Sequence, residues 1–142
     1  MMIDTLIWGA VVGVIHVMVT GGLYGNPVVD GMYAAAMKEE PGVKDWPSKA
    51  RYLVTQILGT QVEVYILAFA YAFLHPLLGM EAMPATLILG VLFCGVRVYP
   101  RSWNMWIQST YPNRLIAIET LGGVVSTFTV VLGLHFLLPG IA

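Results

Sequence analysis

Residues 52–74 read YLVTQILGTQVEVYILAFAYAFL, an almost unbroken apolar run in which Glu63 is the one charged residue. A helix needs about 20 predominantly apolar residues to cross a hydrocarbon core of about 30 Å. The whole chain agrees, since 58% of its 142 residues are hydrophobic and 11% are charged. A soluble domain typically has about a quarter of its residues charged. The sequence therefore predicts an integral membrane protein.

Three further apolar stretches complete a prediction of four spans. They cover residues 3–22, 83–99 and 115–138, of which residues 83–99 form the shortest. Residues 3–22 lack the basic start of a signal peptide and are interpreted as a mature helix. The segments between the spans are too short for an independent core. We therefore expect an all-α, integral membrane four-helix bundle that forms one transmembrane domain over residues 1–142.

The basic residues are distributed unevenly over the connections. All of them fall in or beside the first and third connections: Lys38, Lys44, Lys49, Arg51, Arg97, Arg101 and Arg114. Under the positive-inside rule these connections are cytoplasmic. We expect a multi-pass protein of the bacterial inner membrane with both termini on the exterior, periplasmic side.

Short interfacial helices are expected in the first and third connections. In the first, apolar residues from Val29 to Met37 recur at helical spacing, and this apolar side of the helix is expected to lie in the lipid headgroups. Asp45 is expected to cap the start of the second span. In the third, Pro100 is expected to end the span and Ser102 to cap a short turn. Aromatic residues at this end are typical of a membrane interface: Trp46, Tyr99, Trp103 and Trp106.

Each predicted span carries small or hydrogen-bonding residues on one face. Interfaces between membrane helices are built from such residues, because lipid offers no hydrophobic drive for association. The residues expected to pack helices together are Gly9, Gly13, Gly90, Gly122, Gly123 and Ser126.

A second set of polar residues is predicted to cluster inside the bundle: His16, Gln56, Thr60, Glu63, Arg97 and Glu119. A charged side chain inside the bilayer costs several kcal/mol unless it is paired, protonated or hydrated. Arg97 is placed near the cytoplasmic edge and is expected to pair with Glu119. Glu63 is placed near mid-bilayer without a cation, and is expected to be the functional residue of any small-molecule site. His75 and His135 are expected at the opposite interface.

A metal site is a weaker interpretation of the same residues. His16, Glu63 and Glu119 are the ligand types of a site with two carboxylates and one histidine. The predicted spans lack the Glu-x-x-His pattern of carboxylate-bridged bundles, so we predict no metal. Cys94 is the only cysteine, which excludes an internal disulfide. The pattern of charges gives no indication of a nucleic-acid partner, and a bound lipid, quinone or pigment stays open.

The two ends of the chain carry short family-like motifs. Gly21-Gly22-Leu23-Tyr24-Gly25 closes the first span, and the last span contains Arg114-Leu115-Ile116-Ala117-Ile118-Glu119 followed by Gly122, Ser126 and Gly133. In these features the chain resembles a widespread family of small four-span bacterial membrane proteins known only as a domain of unknown function. The resemblance implies a fold and an orientation, and no activity.

A second resemblance belongs to another functional class. In length, four spans and cytoplasmic connections one and three, the chain is similar to membrane-associated glutathione transferases and eicosanoid enzymes. These enzymes present Arg, Glu and Tyr side chains to glutathione near that face. By location, the counterparts implied here are Arg51, Glu63, Arg97 and Tyr99.

Three functions are therefore open. The favoured one is a non-catalytic accessory or structural subunit, or an assembly factor, of a larger membrane complex. The second is a small enzyme that acts on a lipid-soluble or thiol substrate at the cytoplasmic face. The third is an oligomeric, proton-linked carrier that uses Glu63. The expected partners are the lipid bilayer and other membrane subunits or further copies of the chain.

Overall fold

The computed structural model describes residues 2–40, 42–44 and 46–140, and all regular structure in these ranges is helical. The helices are α1 (Met2–Tyr24), α2 (Pro27–Glu39), α3 (Lys49–Leu74), α4 (Ala82–Gln108) and α5 (Asn113–Leu137). A short 3-10 turn, His75–Leu78, prolongs α3. Four segments are long and apolar enough to span a membrane: Met2–Tyr24, Lys49–Leu78, Ala82–Gln108 and Asn113–Leu137. The predicted all-α bundle with four spans is confirmed, and four spans imply contact with a lipid bilayer.

The helix α5 lies at the centre of the bundle. It packs against α4, α1 and α3, and α1 packs against α3. The shared core contains Val12, Val64, Tyr71, Leu89 and Val131. We call the end of the bundle where α1 and α4 finish and α3 and α5 begin the basic end, because the Lys and Arg residues of the connections lie there.

Glycines bring the helices close together, and the predicted packing residues lie at these contacts. Gly9 faces the ring of Tyr65, and Gly13 faces the side chain of Gln61, both on α3. Gly90 lies against the Phe128 ring. Further along α5, Gly122 faces the hydroxyl of Tyr24, and Gly123 faces Val98.

The third connection differs from the prediction, because α4 runs unbroken through Pro100 to Gln108. Ser102 therefore lies inside α4 and does not cap a separate turn, so the expected interfacial helix there is wrong. A proline removes one backbone hydrogen bond, but membrane helices tolerate this where neighbouring groups satisfy the freed carbonyl. The third span is consequently longer at its basic end than residues 83–99.

The helix α2 fills the first connection, as predicted. Asn26 caps its start by accepting a hydrogen bond from the backbone N–H of Val28 at 2.9 Å, and Pro27 is the first helical residue. Its apolar side turns partly onto the bundle and not only to the headgroups, since Ala36 is fully buried. The expected cap Asp45 lies outside the described residues, and the N-cap of α3 is Ser48.

The first half of α3 stands apart from the other helices. All residues from 49 to 59 are exposed, whichever face of the helix they occupy. The backbones of α3 and α4 hardly approach each other. Tyr52, Gln56 and Glu63 share one face of α3 at helical spacing. We call the space between this face and the basic half of α4 the α3–α4 cleft.

Candidate functional site

A bidentate ion pair closes the inner end of the α3–α4 cleft. The Arg97 guanidinium donates from Nε to one oxygen of Glu63 and from Nη2 to the other, the second bond being 2.8 Å long. The Glu63 side chain is 41% exposed and that of Arg97 is 20% exposed. Two parallel hydrogen bonds between a guanidinium and a carboxylate are strong and directional, so this pair holds α3 to α4 where their backbones do not pack.

Arg97 also binds α5, and through it α1. Its Nη1 donates to Thr127 Oγ1 at 2.7 Å, and its Nη2 donates to Ser126 Oγ at 3.0 Å. The same Ser126 hydroxyl lies 2.5 Å from Nε2 of the buried His16. His16 Nδ1 has no hydrogen-bond partner among the described residues. One hydrogen-bonded network therefore joins all four spans.

The predicted pairing of Arg97 with Glu119 is wrong, as is the expectation that Glu63 lacks a cation. The cause is the length of α4. Because α4 continues to Gln108, Arg97 lies about 16 Å from the basic end of its helix, at 1.5 Å per residue, and not at the edge. At that depth it meets Glu63.

Glu119 belongs to a second ion pair nearer the basic end. Arg101 Nη2 donates to one of its oxygens at 3.0 Å, and the Tyr33 hydroxyl of α2 donates to the other. The Arg101 side chain is 67% exposed and that of Glu119 is 16% exposed. Burial, and the hydrogen bond to the Glu119 carboxylate, raise the pKa of Tyr33 above its ordinary value. Glu119 thus fastens α2 to α5.

The two ion pairs line a common cavity of about 50 Å³, together with Val98, Ser102 and Gly123. We call it the charged crevice. By the same measure a single water needs roughly 10–15 Å³, so the cavity has room for a few waters or a small polar group. Its four charged side chains sum to zero. Chemically, it offers both carboxylate acceptors and guanidinium donors to a small polar group.

The remaining polar residues of the predicted cluster lie apart from this network. Gln56 donates to Thr60 at 3.3 Å within α3. Of the predicted set, the structure therefore brings His16, Glu63 and Arg97 together, with Glu119 across the charged crevice. Among the described residues, no group of three His, Cys, Asp or Glu side chains could hold a metal ion.

The predicted interfacial aromatics lie at the basic end. Tyr99, Trp103 and Trp106 form a row on α4 with ring centroids 6.0 Å and 5.3 Å apart. They border an apolar groove of about 560 Å³ between α4 and α5 that also includes Cys94. Trp46 lies against Tyr52 with ring centroids 5.7 Å apart.

His75 and His135 lie near the ends of α3 and α5 that are opposite the basic end, and both are buried in the bundle. His75 Nε2 donates to the carbonyl of Ala82 at 3.0 Å, and His135 Nδ1 lies 3.2 Å from the hydroxyl of Thr86. Thr86 Oγ1 is also 2.6 Å from the hydroxyl of the buried Tyr71. Hydropathy places these histidines near a span end but cannot show which side chains they contact.

Sequence reasoning missed three residues of the site: Tyr33, Arg101 and Thr127. Arg101 follows Arg97 by four residues, which is one helical turn, so the same face was the available signal. Thr127 follows Gly123 by the same spacing. For Tyr33 no local pattern points inward, because its contact depends on how α2 docks.

Comparison with known proteins identifies a family. A family model described as "Protein of unknown function (DUF1761)" matches residues 8–135, and the chain belongs to that family. No curated protein and no solved structure gives a significant match to the chain.

Proposed function

We propose that this member of the DUF1761 family is a non-catalytic subunit or assembly factor of a larger membrane complex. The observation that carries the proposal is the free half of α3. Its residues 49–59 are exposed on every face, although they continue directly into the packed part of the same helix. A helix half that packs closely against no other helix of the described residues is available to a helix from another protein.

The outward face of this free half suits contact with a membrane helix. Thr55, Gly59 and Val62 are exposed and follow one another at helical spacing. Thr55 and Gly59 form a small-xxx-small pair, the arrangement that lets two membrane helices approach closely. The space around Gly59 is open, since a Cβ placed there would meet no atom within 4 Å.

Burial of polar groups favours the same conclusion. At 1.5 Å per residue, Gln56 lies about 10 Å along α3 from Lys49, within the predicted span. A polar side chain that faces hydrocarbon is costly, and hydrogen bonding across helices removes that cost. Gln56 donates to Thr60 of its own helix, and a partner helix beside α3 would offer it further hydrogen-bonding groups.

The proposal places the protein in the bacterial inner membrane, with the basic end in the cytoplasm and both termini outside. The support is the charge asymmetry, because Lys and Arg near span ends are retained on the cytoplasmic side. The partner's contact with α3 then lies in the cytoplasmic leaflet.

Gly59→Leu tests the proposal. A Cβ at position 59 meets no atom of the described chain within 4 Å, so the subunit should fold. The leucine adds a bulky side chain where the partner's backbone would approach. Gly95→Leu on α4 is the matched control, since Gly95 is equally open. Both variants are purified from native membranes in a mild detergent, and the mass of each assembly is measured.

We expect wild type and Gly95→Leu to elute as a complex with a second protein, and Gly59→Leu to elute without it. If Gly59→Leu keeps the second protein, the proposal is contradicted. It is also contradicted if wild type and both variants elute without any second protein.

The carrier and the transferase-like enzyme, which are the alternative functions, have less support than the subunit role. The carrier alternative needs a polar path, but α5 buries Val130, Val131 and Leu134 between its two polar ends. That apolar layer spans about 12 Å, counted from Thr127 to His135 at 1.5 Å per residue. The residues implied by the transferase resemblance line different cavities, since Glu63 and Arg97 border the charged crevice and Tyr99 borders the apolar groove.

A further inference from the structure

The charged crevice combines two acidic and two basic side chains without an excess of either sign. Glu63, Arg97, Arg101 and Glu119 all line it. An ion of one sign that entered such a site would leave a net charge in surroundings of low dielectric constant, which is expensive. A group that carries one positive and one negative charge could bind there by exchanging partners with the existing pairs.

The two pairs differ in how easily they open. Glu63 and Arg97 are joined by two hydrogen bonds, and Arg97 is also held by Ser126 and Thr127. Arg101 reaches Glu119 through a single nitrogen and is largely exposed. One hydrogen bond from an exposed guanidinium is easier to open than two parallel bonds from a largely buried one. The pair of Arg101 and Glu119 is therefore the one that opens more readily.

The position of the opening pair indicates where a ligand enters. Arg101 lies one helical turn, about 6 Å, closer to the basic end than Arg97. Arg101 lies between Tyr99 and Trp103, whose rings are typical of a membrane interface, so an anion that Arg101 binds would be near the lipid headgroups. A cation joined to that anion would reach the carboxylates of Glu119 and Glu63, which line the same crevice. Leu53 and Ile57 are exposed on α3 and offer apolar surface to a hydrocarbon chain.

We propose that the charged crevice binds a primary ammonium joined through a short linker to a phosphate. Guanidinium groups bind phosphate by charge-assisted hydrogen bonds. A primary ammonium has three N–H donors for the two carboxylates, whereas a trimethylated ammonium has none. This ligand is the headgroup of an ethanolamine phospholipid or the same group in free form.

Calorimetric titration of the full chain in a mild detergent tests this. The probes are dihexanoyl phosphatidylethanolamine, phosphatidylcholine and phosphatidylglycerol, and free phosphoethanolamine. We expect the ethanolamine lipid to bind about tenfold more tightly than either other lipid, the equivalent of one lost charge-assisted hydrogen bond. Equal affinities for the three lipids, or no binding of any, overturn the proposal. Free phosphoethanolamine that binds as well as the lipid identifies a soluble source, and weaker binding identifies a membrane source.

Variants separate the site from general lipid contact. Glu119→Gln and Arg101→Gln should each weaken binding of the ethanolamine lipid about tenfold. Lys49→Gln removes an exposed cation outside the charged crevice and should leave the affinity unchanged. Arg101 is largely exposed, and Glu119 keeps the hydrogen bond from Tyr33, so Arg101→Gln is expected to fold. This variant decides the question if Glu119→Gln fails to fold. An unchanged affinity in Arg101→Gln contradicts the assignment.

Discussion

Arg97 joins α4 to α3 through Glu63, to α5 through Ser126 and Thr127, and to α1 through Ser126 and His16. Removing one member of a buried pair leaves its partner charged and unsatisfied, which is worse than removing both. The stability of the bundle therefore depends on the charges of Glu63 and Arg97 balancing each other.

A double-mutant cycle on Glu63 and Arg97 measures this dependence. Glu63→Gln and Arg97→Gln should each lower the free energy of unfolding by about 1–3 kcal/mol, less than for a fully buried pair because Glu63 is partly exposed. The double variant should lose less than the sum of the two. Unfolding in mixed detergent micelles gives the three values.

The control for this cycle is the exposed pair of Lys49 and Asp30. Their charged atoms lie 3.7 Å apart, and their side chains are 76% and 60% exposed. The same cycle on this pair should show a coupling below about 0.5 kcal/mol. Strictly additive losses at Glu63 and Arg97 would mean that the ion pair does not link α3 to α4.

Tyr33 gives the fold a pH dependence at its basic end. Burial and the hydrogen bond to Glu119 raise the pKa of Tyr33 above its ordinary value of 10.0, so the folded chain holds this proton more tightly than the unfolded chain. The stabilisation is complete below pH 10 and is lost as the pH rises above it toward the folded pKa. Tyr33→Phe should lower the free energy of unfolding by about 1–2 kcal/mol at pH 8. Between pH 9 and 11, the stability of this variant should fall less than that of wild type.

Thermal unfolding in detergent across this pH range gives the comparison. Tyr99→Phe, which removes an exposed hydroxyl, should keep the wild-type profile. A Tyr33→Phe profile parallel to that of wild type would show that α2 is not fastened to Glu119 through this phenol.

At the scale of helices, α4 shows what sequence patterns can and cannot predict. Hydropathy locates its apolar part, but a proline in the sequence signals a probable helix end, and here the helix continues through Pro100. That continuation changes the depth of Arg97 and hence its partner. Which carboxylate meets Arg97 depends on the rotation and depth of three helices, and such docking leaves no local pattern.

Two glycines on α4 provide a matched test of its packing against α5. A Cβ on Gly90 would lie 2.7 Å from Cε1 of the Phe128 ring, whereas a Cβ on Gly95 would lie in open space. Gly90→Ala should destabilise the bundle by about 1–3 kcal/mol, since a ring packed between helices cannot move aside without strain. Gly95→Ala should be neutral or stabilising by at most about 1 kcal/mol, from helix propensity. Equal effects in unfolding measurements would contradict the α4–α5 contact.

At the scale of the whole molecule, the charge asymmetry predicts the orientation. Alkaline phosphatase fused after Ala142 should be active, because every Lys and Arg residue lies in the basic half of the bundle and the opposite end is then exterior. Alkaline phosphatase and green fluorescent protein fusions give opposite signals for the two orientations. A fluorescent, phosphatase-inactive C-terminus would reverse the membrane orientation.

The spans and the inward position of several polar residues could be predicted, since both follow from composition and helical period. The free half of α3 could not, because residues 49–59 look like any other apolar helix. What distinguishes them is that they pack closely against no other helix of the described chain, which is a property of the assembled bundle. The proposed subunit role depends on this feature.

Photo-crosslinking in native membranes tests that role most directly. A benzoylphenylalanine at position 62 replaces Val62 on the outward face of α3, and one at position 91 replaces Val91 on α4; the two native side chains are 61% and 65% exposed. We predict that position 62 crosslinks to a second, different protein and that position 91 crosslinks to lipid alone. The same products at both positions, or only a dimer of this chain at position 62, would contradict the proposed subunit role.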